Sequence, residues 1–419
     1  MGRKILFITT DQMRYDAIGA NGGRVARTPV IDSLAADGIT YDRAQPQNVV
    51  CMPSRSTMVT GQNVGTHGVW MNGVPLPIDA PSVAAVLGEA GYRTALVGKS
   101  HFEPLLDPFL RFAENQQGFT GATGGHRGFD HMELATHGAV GFTHYAGWMR
   151  AHHADLIGGF FQVLDGDLEV SGIAGGDTDA PQIKRNPIPR EWYHTDWVAD
   201  RTIAWLDGLE ADDDWFCWMS FPDPHHPWDP PESEIHRVNW RDLDLPSGYP
   251  QNAAEREAII DAKPRHWRLW YDGTLVGNYE APAKWIPATL TADQIREVNA
   301  MAHIENELID EAIGRFRPVV QRSVPRRLPH ATASHLATRT LGRWRPRRDC
   351  SRQSSRRIAR PRPDLLSHRG GCHPVMDGGP APAHRRRRCR RTRFRARHDR
   401  VGQPPARRHR DAPAHDHPR

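Results

Sequence analysis

A chain of 419 residues is long enough for one large α/β domain, or a large and a small one, so core size excludes nothing and admits an enzyme. Its formal charge of +5 averages two unlike parts: residues 317–419 hold 29 Arg, no Lys, 6 Asp and no Glu, a balance of +23, while the other 25 basic and 43 acidic residues leave −18 on residues 1–316. The net value therefore argues for no anionic partner of the acidic body, and five cysteines at 51, 217, 350, 372 and 389 exclude a disulfide scaffold and paired metal-ligand spacing. Met1-Gly2-Arg3-Lys4 runs directly into Ile5-Leu6-Phe7-Ile8, too short a run for a signal core or a membrane span. With the cysteine usage, this gives the expectation of a cytoplasmic protein that contacts no membrane.

Ile5 to Thr9 is an apolar, β-rich run ending in Thr10-Asp11-Gln12, which predicts a buried strand whose carboxyl end delivers an acid. Thr28-Pro29 with Val30, Leu34 and Ala35 predicts a capped helix stopped by Gly38. Pro53 suits a first helical turn and Ser54 to Thr60 continue to Gly61, so Cys51 is expected just before a helix N-terminus, a place that favours anions. Pro81 to Ala90 sets Val83, Val86 and Leu87 on one helical face, and Thr94 to Val97 predicts a strand ending at Gly98-Lys99. Val198, Thr202, Trp205 and Leu209 mark a further helix. Trp215 to Phe221 then reads as a buried strand ending in Pro222-Asp223-Pro224-His225. Ala292 to Phe316 repeats Val298, Met301, Ile304, Leu308 and Ala312 at helical intervals. This alternation predicts an α/β fold with a mostly parallel, mixed sheet sandwiched by helices, and places chemistry at the strands' carboxyl edge. Between Val140 and Lys284 the pattern is otherwise less regular; Trp148, Trp192, Trp240, Trp267 and Trp270 there are expected to pack surface loops.

Past Phe316 the alternation stops and runs such as Arg385-Arg386-Arg387-Arg388 appear, in a composition that cannot offset its ordering entropy by burial. A catalytic domain over 1–316 and a disordered Arg-rich tail over 317–419 follow. A basic arm would contact nucleic acid or acidic lipid. The complete lack of Lys, Glu and Tyr instead favours GC-rich DNA read out of frame, so nucleic acid is not an expected partner.

Cys51-Met52-Pro53-Ser54-Arg55 carries the most information. An isolated cysteine is ordinarily a small buried apolar group. This pentapeptide, however, resembles the C-x-P-S-R motif of type I sulfatases, in the alkaline phosphatase superfamily. Thr60-Gly61, His67-Gly68-Val69, Gly98-Lys99-Ser100-His101 and Asp223-Pro224-His225-His226-Pro227-Trp228 resemble further motifs of that family in the same order. The resemblance spans roughly residues 4 to 316 and implies a metal-dependent hydrolase, arylsulfatase-like. In that family a separate formylglycine-generating enzyme oxidises the cysteine.

Residue by residue, the resemblance makes the formylglycine from Cys51 both nucleophile and metal ligand, and gives Asp11 one divalent cation, calcium or manganese. Arg55 would hold the hydrate or the substrate's anionic oxygens, Lys99 would neutralise charge on the transferred group, His101 would move the proton that releases product, and His225 would support the leaving oxygen. Trp70-Met71-Asn72-Gly73 resembles a stretch of phosphonate monoester hydrolases in which the Asn contacts substrate; an Asn-Gly pair alone reads as a turn. Thr10-Asp11 stands where many sulfatases carry two acids, which opens phosphonate monoesters and phosphodiesters as alternative substrates. The family also has an Asp-His or Asp-Asn pair and a Lys after the long helix, and no strand followed by Asp-His-Gly occurs here. Asp416-His417 lacks both that strand and the glycine. The chain as written is accordingly expected to be inactive or unstable, with a homo-oligomer and a partner-binding pseudoenzyme left open.

Overall fold

A computed structural model describes residues 3–161, 176–275 and 285–316. The tail over 317–419, with its disorder and its reading frame, lies outside them.

Along the chain run β1 (Lys4–Thr9), α1 (Pro29–Asp37), α2 (Cys51–Thr60), α3 (Val64–His67), α4 (Val83–Glu89), β2 (Arg93–Gly98), α5 (Ala113–Thr120), β3 (Gly124–His126), β4 (Phe129–Leu134), α6 (His144–His152), α7 (His194–Asp207), β5 (Trp215–Ser220), α8 (Ala253–Asp261), α9 (Arg265–Tyr271) and α10 (Ala292–Gly314). The strands form one sheet in the order β1-β5-β2-β4-β3. Neighbours pair in parallel except β3 with β4. The mostly parallel, mixed sheet expected from the alternation is present.

Strand side chains alternate between faces, so each buried strand feeds two cores. Trp215, Cys217 and Met219 of β5, with Ala95 and Val97 of β2, pack with α7 and α10. Phe216, Trp218 and Leu96 point the other way, with Met52 and Val59 of α2 and Ala84 of α4. Near-continuous apolar runs in β2 and β5 are the sequence imprint of this double burial. Trp148, Trp192 and Trp240 pack partly buried against the first core, whereas Trp267 and Trp270 are exposed.

Three helix starts differ from expectation. Helix α1 is capped by a distant group: Asp310 of α10 accepts the N–H groups of Val30 and Ile31 at 3.1 and 2.8 Å, and Thr28 makes no side-chain cap. Helix α2 begins at Cys51 itself, after Val50, so the cysteine is the first helical residue. Helix α4 begins at Val83, capped by Ser82, and leaves Val83 and Val86 exposed while burying Ala84. The Gly128 backbone lies so close to Ala85 that a Cβ at Gly128 would sit 2.2 Å from the Ala85 nitrogen, and this contact fixes which face of α4 turns inward. Helix α10 opens with a reciprocal Thr291–Gln294 capping box, a device that contributes about 1 kcal/mol. Among the described residues, no helix is long and apolar enough to cross a membrane.

Candidate functional site

Three adjacent parallel strands end level with one another. Thr9 of β1 pairs with Ser220 of β5, and Gly98 of β2 pairs with that same Ser220. The residues just past these ends, Asp11, Lys99, His101, Asp223 and His225, therefore converge on one edge. The Asp11 N–H donates to the Asp223 carbonyl at 3.0 Å and ties the β1 and β5 exits together. Gly98 has φ +105, and a Cβ there would lie 1.8 Å from the Ser220 oxygen, so only glycine lets β2 approach β5 immediately before Lys99.

Helix α2 points its first turn at this edge. Cys51 and Arg55 are four residues apart, so both side chains share one helical face. Arg55, 4% exposed, donates through Nη1 to the Lys99 carbonyl (2.5 Å) and Ser220 Oγ (2.8 Å), and through Nη2 to Asp11 Oδ2 (3.3 Å). Lys99 Nζ lies 2.7 Å from Asp11 Oδ2 and 3.8 Å from Cys51 Sγ, and Sγ is 4.0 Å from Asp11 Oδ1. Burial and the Asp11 charge push the Cys51 thiol up. The Lys99 ammonium and hydrogen bonds with His101 and His225 outweigh them, and hold it well below the ordinary thiol value. This favours a thiolate at the mouth of a helix, beside two cations.

The imidazoles are held from outside. His225 directs Nδ1 to the His226 carbonyl and stacks on the His226 ring at 4.1 Å. His226 in turn reaches Gln12 Oε1 at 3.1 Å. His101 has φ +56, a sparsely populated conformation for a residue with a Cβ, and the loop after it is pinned by Glu114, whose carboxyl accepts the N–H groups of Phe102 (3.2 Å) and Glu103 (3.4 Å). Burial, then the neighbouring Glu103, push Glu114 up to about 8. Asn72 is also local: its Oδ1 accepts the Met52 N–H at 3.0 Å, serving an otherwise uncapped amide in the first turn of α2.

The structure thus gathers Asp11, Cys51, Arg55, Lys99, His101 and His225 around one point and holds Asn72 against the Met52 amide next to Cys51. Two members escape the sequence reading. Ser220 anchors Arg55. His137, three residues past the end of β4, stacks on His225 (3.9 Å, 19°) and brings Nε2 to 2.8 Å from Lys99 Nζ. Recognising β4 would have exposed His137, because it too follows a strand's carboxyl end.

Two groups bring ligand atoms within 4.8 Å of one another: Asp11, His137 and His225, and Glu103, Glu114 and His126. The first offers a carboxylate to a hard cation, and the Lys99 ammonium marks a spot already suited to positive charge. The second already has its cation, because Arg127 donates to Glu103 Oε1 at 3.1 Å.

Several known proteins resemble this chain. An arylsulfatase of Clostridium perfringens is 28% identical over 273 residues, 61% of this chain and 50% of the relative. The multifunctional alkaline phosphatase superfamily protein PehA of Trinickia caryophylli is 25% identical over 321 residues, 75% of this chain and 58% of the relative. The chain thus spans about half the length of these curated relatives. The fold resembles that of the phosphonate monoester hydrolase of Agrobacterium radiobacter, with a TM-score of 0.58 at 21% identity, covering 77% of this chain and 60% of that one. The sulfatase family model matches residues 3–236, more than half of the sequence, and the chain belongs to that family.

Proposed function

We propose that residues 1–316 form the catalytic domain of a cytoplasmic hydrolase that cleaves sulfate esters, arylsulfatase-like, through a formylglycine made from Cys51 by a separate maturation enzyme. One observation carries this reading: the Cys51 side chain opens a helix and lies within reach of Asp11, Lys99, His101 and His225 together. A structural cysteine has no use for that company.

Asp11 and the oxidised Cys51 would hold a divalent cation, calcium or manganese. When bound, the cation would supply positive charge to the ester oxygens, and the hydrated aldehyde two hydroxyls, one to attack and one whose proton loss expels the anion. The remaining work falls to the chain's own side chains. Arg55 and Lys99 fix positive charge where the transferred group gathers negative charge, in a site from which water is largely excluded. His225 has Nδ1 committed to a backbone carbonyl, so Nε2 serves the leaving oxygen. His101 moves the proton that frees the product. A second reading, hydrolysis of phosphonate monoesters or phosphodiesters, is favoured by Thr10-Asp11, which offers one carboxylate where many sulfatases carry two.

The test pairs peptide mass spectrometry of Cys51 with hydrolysis of an aryl sulfate, a phosphonate monoester and a phosphodiester, with calcium, manganese or chelator. Conversion of Cys51 and cation-dependent turnover lost in Cys51→Ala are expected. Turnover by this polypeptide would overturn the sequence expectation that the chain as written is inactive or unstable. A fully converted protein that cleaves none of the three esters refutes the proposal.

A further inference from the structure

We propose that His137 is a positioning residue of this site: it accepts a hydrogen bond from Lys99 and holds the ammonium on the transferred group when a cation occupies Asp11. The inference rests on the reading of Lys99 as the residue that meets that group's charge.

An ammonium has three donors and no acceptor. Around Lys99 Nζ stand three acceptors: Asp11 Oδ2 at 2.7 Å, His137 Nε2 at 2.8 Å and Cys51 Sγ at 3.8 Å. The side chain is 1% exposed, so water cannot replace a lost partner. Two of the three acceptors are unavailable in the working enzyme as proposed. Oxidation exchanges the sulfur for hydrate oxygens that the cation and the attack on the ester engage, and a cation competes for the Asp11 oxygens. His137 also brings a ring nitrogen within 4.8 Å of the Asp11 and His225 ligand atoms, but with Nε2 engaged by Lys99 Nζ at 2.8 Å it stays with the lysine and stops it from swinging away.

The ring is built for that task. As acceptor at Nε2, neutral His137 must carry its proton on Nδ1. Nδ1 is enclosed and has no protein hydrogen-bond partner among the described residues. The ring plane is set by stacking on His225 at 3.9 Å and 19°, so the same residue couples the lysine to the imidazole on the leaving side.

Three substitutions separate acceptor from packing. His137→Phe keeps a flat ring against His225 and removes the acceptor; His137→Gln restores an acceptor oxygen; Lys99→Met removes the lysine charge and reports on the parent reading. Affinity for inorganic sulfate, measured by titration calorimetry on the Cys51-converted protein with cation present, should fall about ten- to hundredfold in His137→Phe and in Lys99→Met. It should return to within a fewfold of wild type in His137→Gln. A crystal structure of His137→Phe should show Nζ displaced from the site. Wild-type sulfate affinity in His137→Phe, or an undisplaced Nζ, overturns the role of His137 if Lys99→Met still weakens binding. No effect of Lys99→Met sinks the reading of Lys99, and the inference with it. Should His137→Phe fail to fold, a His137→Gln protein that binds sulfate no better than Lys99→Met decides against the proposal.

Discussion

Replacing Asp11 with Asn tests the charge arrangement most directly. This carboxylate lies 2.7 Å from Lys99 Nζ and 3.3 Å from Arg55 Nη2, and none of the three side chains is more than 5% exposed. Coulomb attraction at the shorter distance is roughly 6 kcal/mol at an effective dielectric near 20, before desolvation is subtracted. Asn preserves shape and hydrogen bonding but leaves two buried cations with no carboxylate among the described residues, Lys99 keeping only His137 Nε2 and the Cys51 sulfur and Arg55 only the Lys99 carbonyl and Ser220 Oγ. Removal of one partner from a buried ion pair costs about 3–5 kcal/mol. With each kcal/mol worth roughly 2–4 °C in a domain of this size class, Tm should fall by roughly 6–20 °C. Calorimetry in chelator at neutral pH is the assay, with exposed Asp212→Asn as a control expected to stay within about 0.5 kcal/mol. The sign is diagnostic. A pocket of crowded carboxylates awaiting metal would gain stability on losing a charge, so an unchanged or higher Tm for Asp11→Asn would refute the reasoning.

Gly98→Ala should destabilise severely, because the new Cβ meets the Ser220 backbone oxygen at 1.8 Å at a φ of +105; soluble protein with an unshifted melting curve would contradict the packing described. Asn72→Ala should cost about 1 kcal/mol, as for a lost helix cap, and should also raise KM because Met52 follows Cys51; chemical denaturation and steady-state kinetics read the two effects, and an unaltered denaturation midpoint counts against the cap. Glu114, pushed up to about 8 from an ordinary 4.5, holds its proton more tightly in the folded state than in the unfolded one. Its stabilising contribution is therefore fully present below about pH 4.5 and is lost as pH rises through about 8. Glu114→Gln should flatten the decline of Tm between about pH 5 and pH 8, and parallel profiles for the two proteins would rule this out.

The central strands and most of the chemistry were legible for one reason: doubly buried strands leave continuous apolar text, and polar letters at their carboxyl ends stand out against it. β2 and β5 follow that rule; β1 carries the same apolar text although residues 4–8 are only partly buried at the end of the sheet order, short of the buried strand expected. Asp11, Lys99 and His225 lie just past these strands, and the family resemblance supplied their roles and that of His101. β4 does not, because Phe-Asp-His-Met-Glu-Leu interrupts the run: Asp130 accepts the Thr94 amide and Glu133 pairs with Arg201. With β4 hidden, His137 lost its strand-end position and had no motif to mark it. Helix α5, Ala-Glu-Asn-Gln-Gln-Gly-Phe-Thr, is short and polar, and its place is set by Glu114 and Asn115 bonding to a loop far from it in local pattern. Capping of α1 by Asp310, some 280 residues away in sequence, belongs to the same class of tertiary decision that no local window contains.

The level ends of β1, β5 and β2 have an evolutionary and practical corollary. Acid, lysine and imidazole are spaced by backbone pairing, as marks on a ruler, before any connecting segment is laid down. Segments joining the strands are therefore open to lengthening, shortening and replacement, while one residue inserted inside β5 would push His225 roughly 3.3 Å out past the edge and swap the two faces of the strand beyond it. New substrate preferences in such a scaffold arise most readily by rewriting what hangs over the edge and leaving the ruler alone.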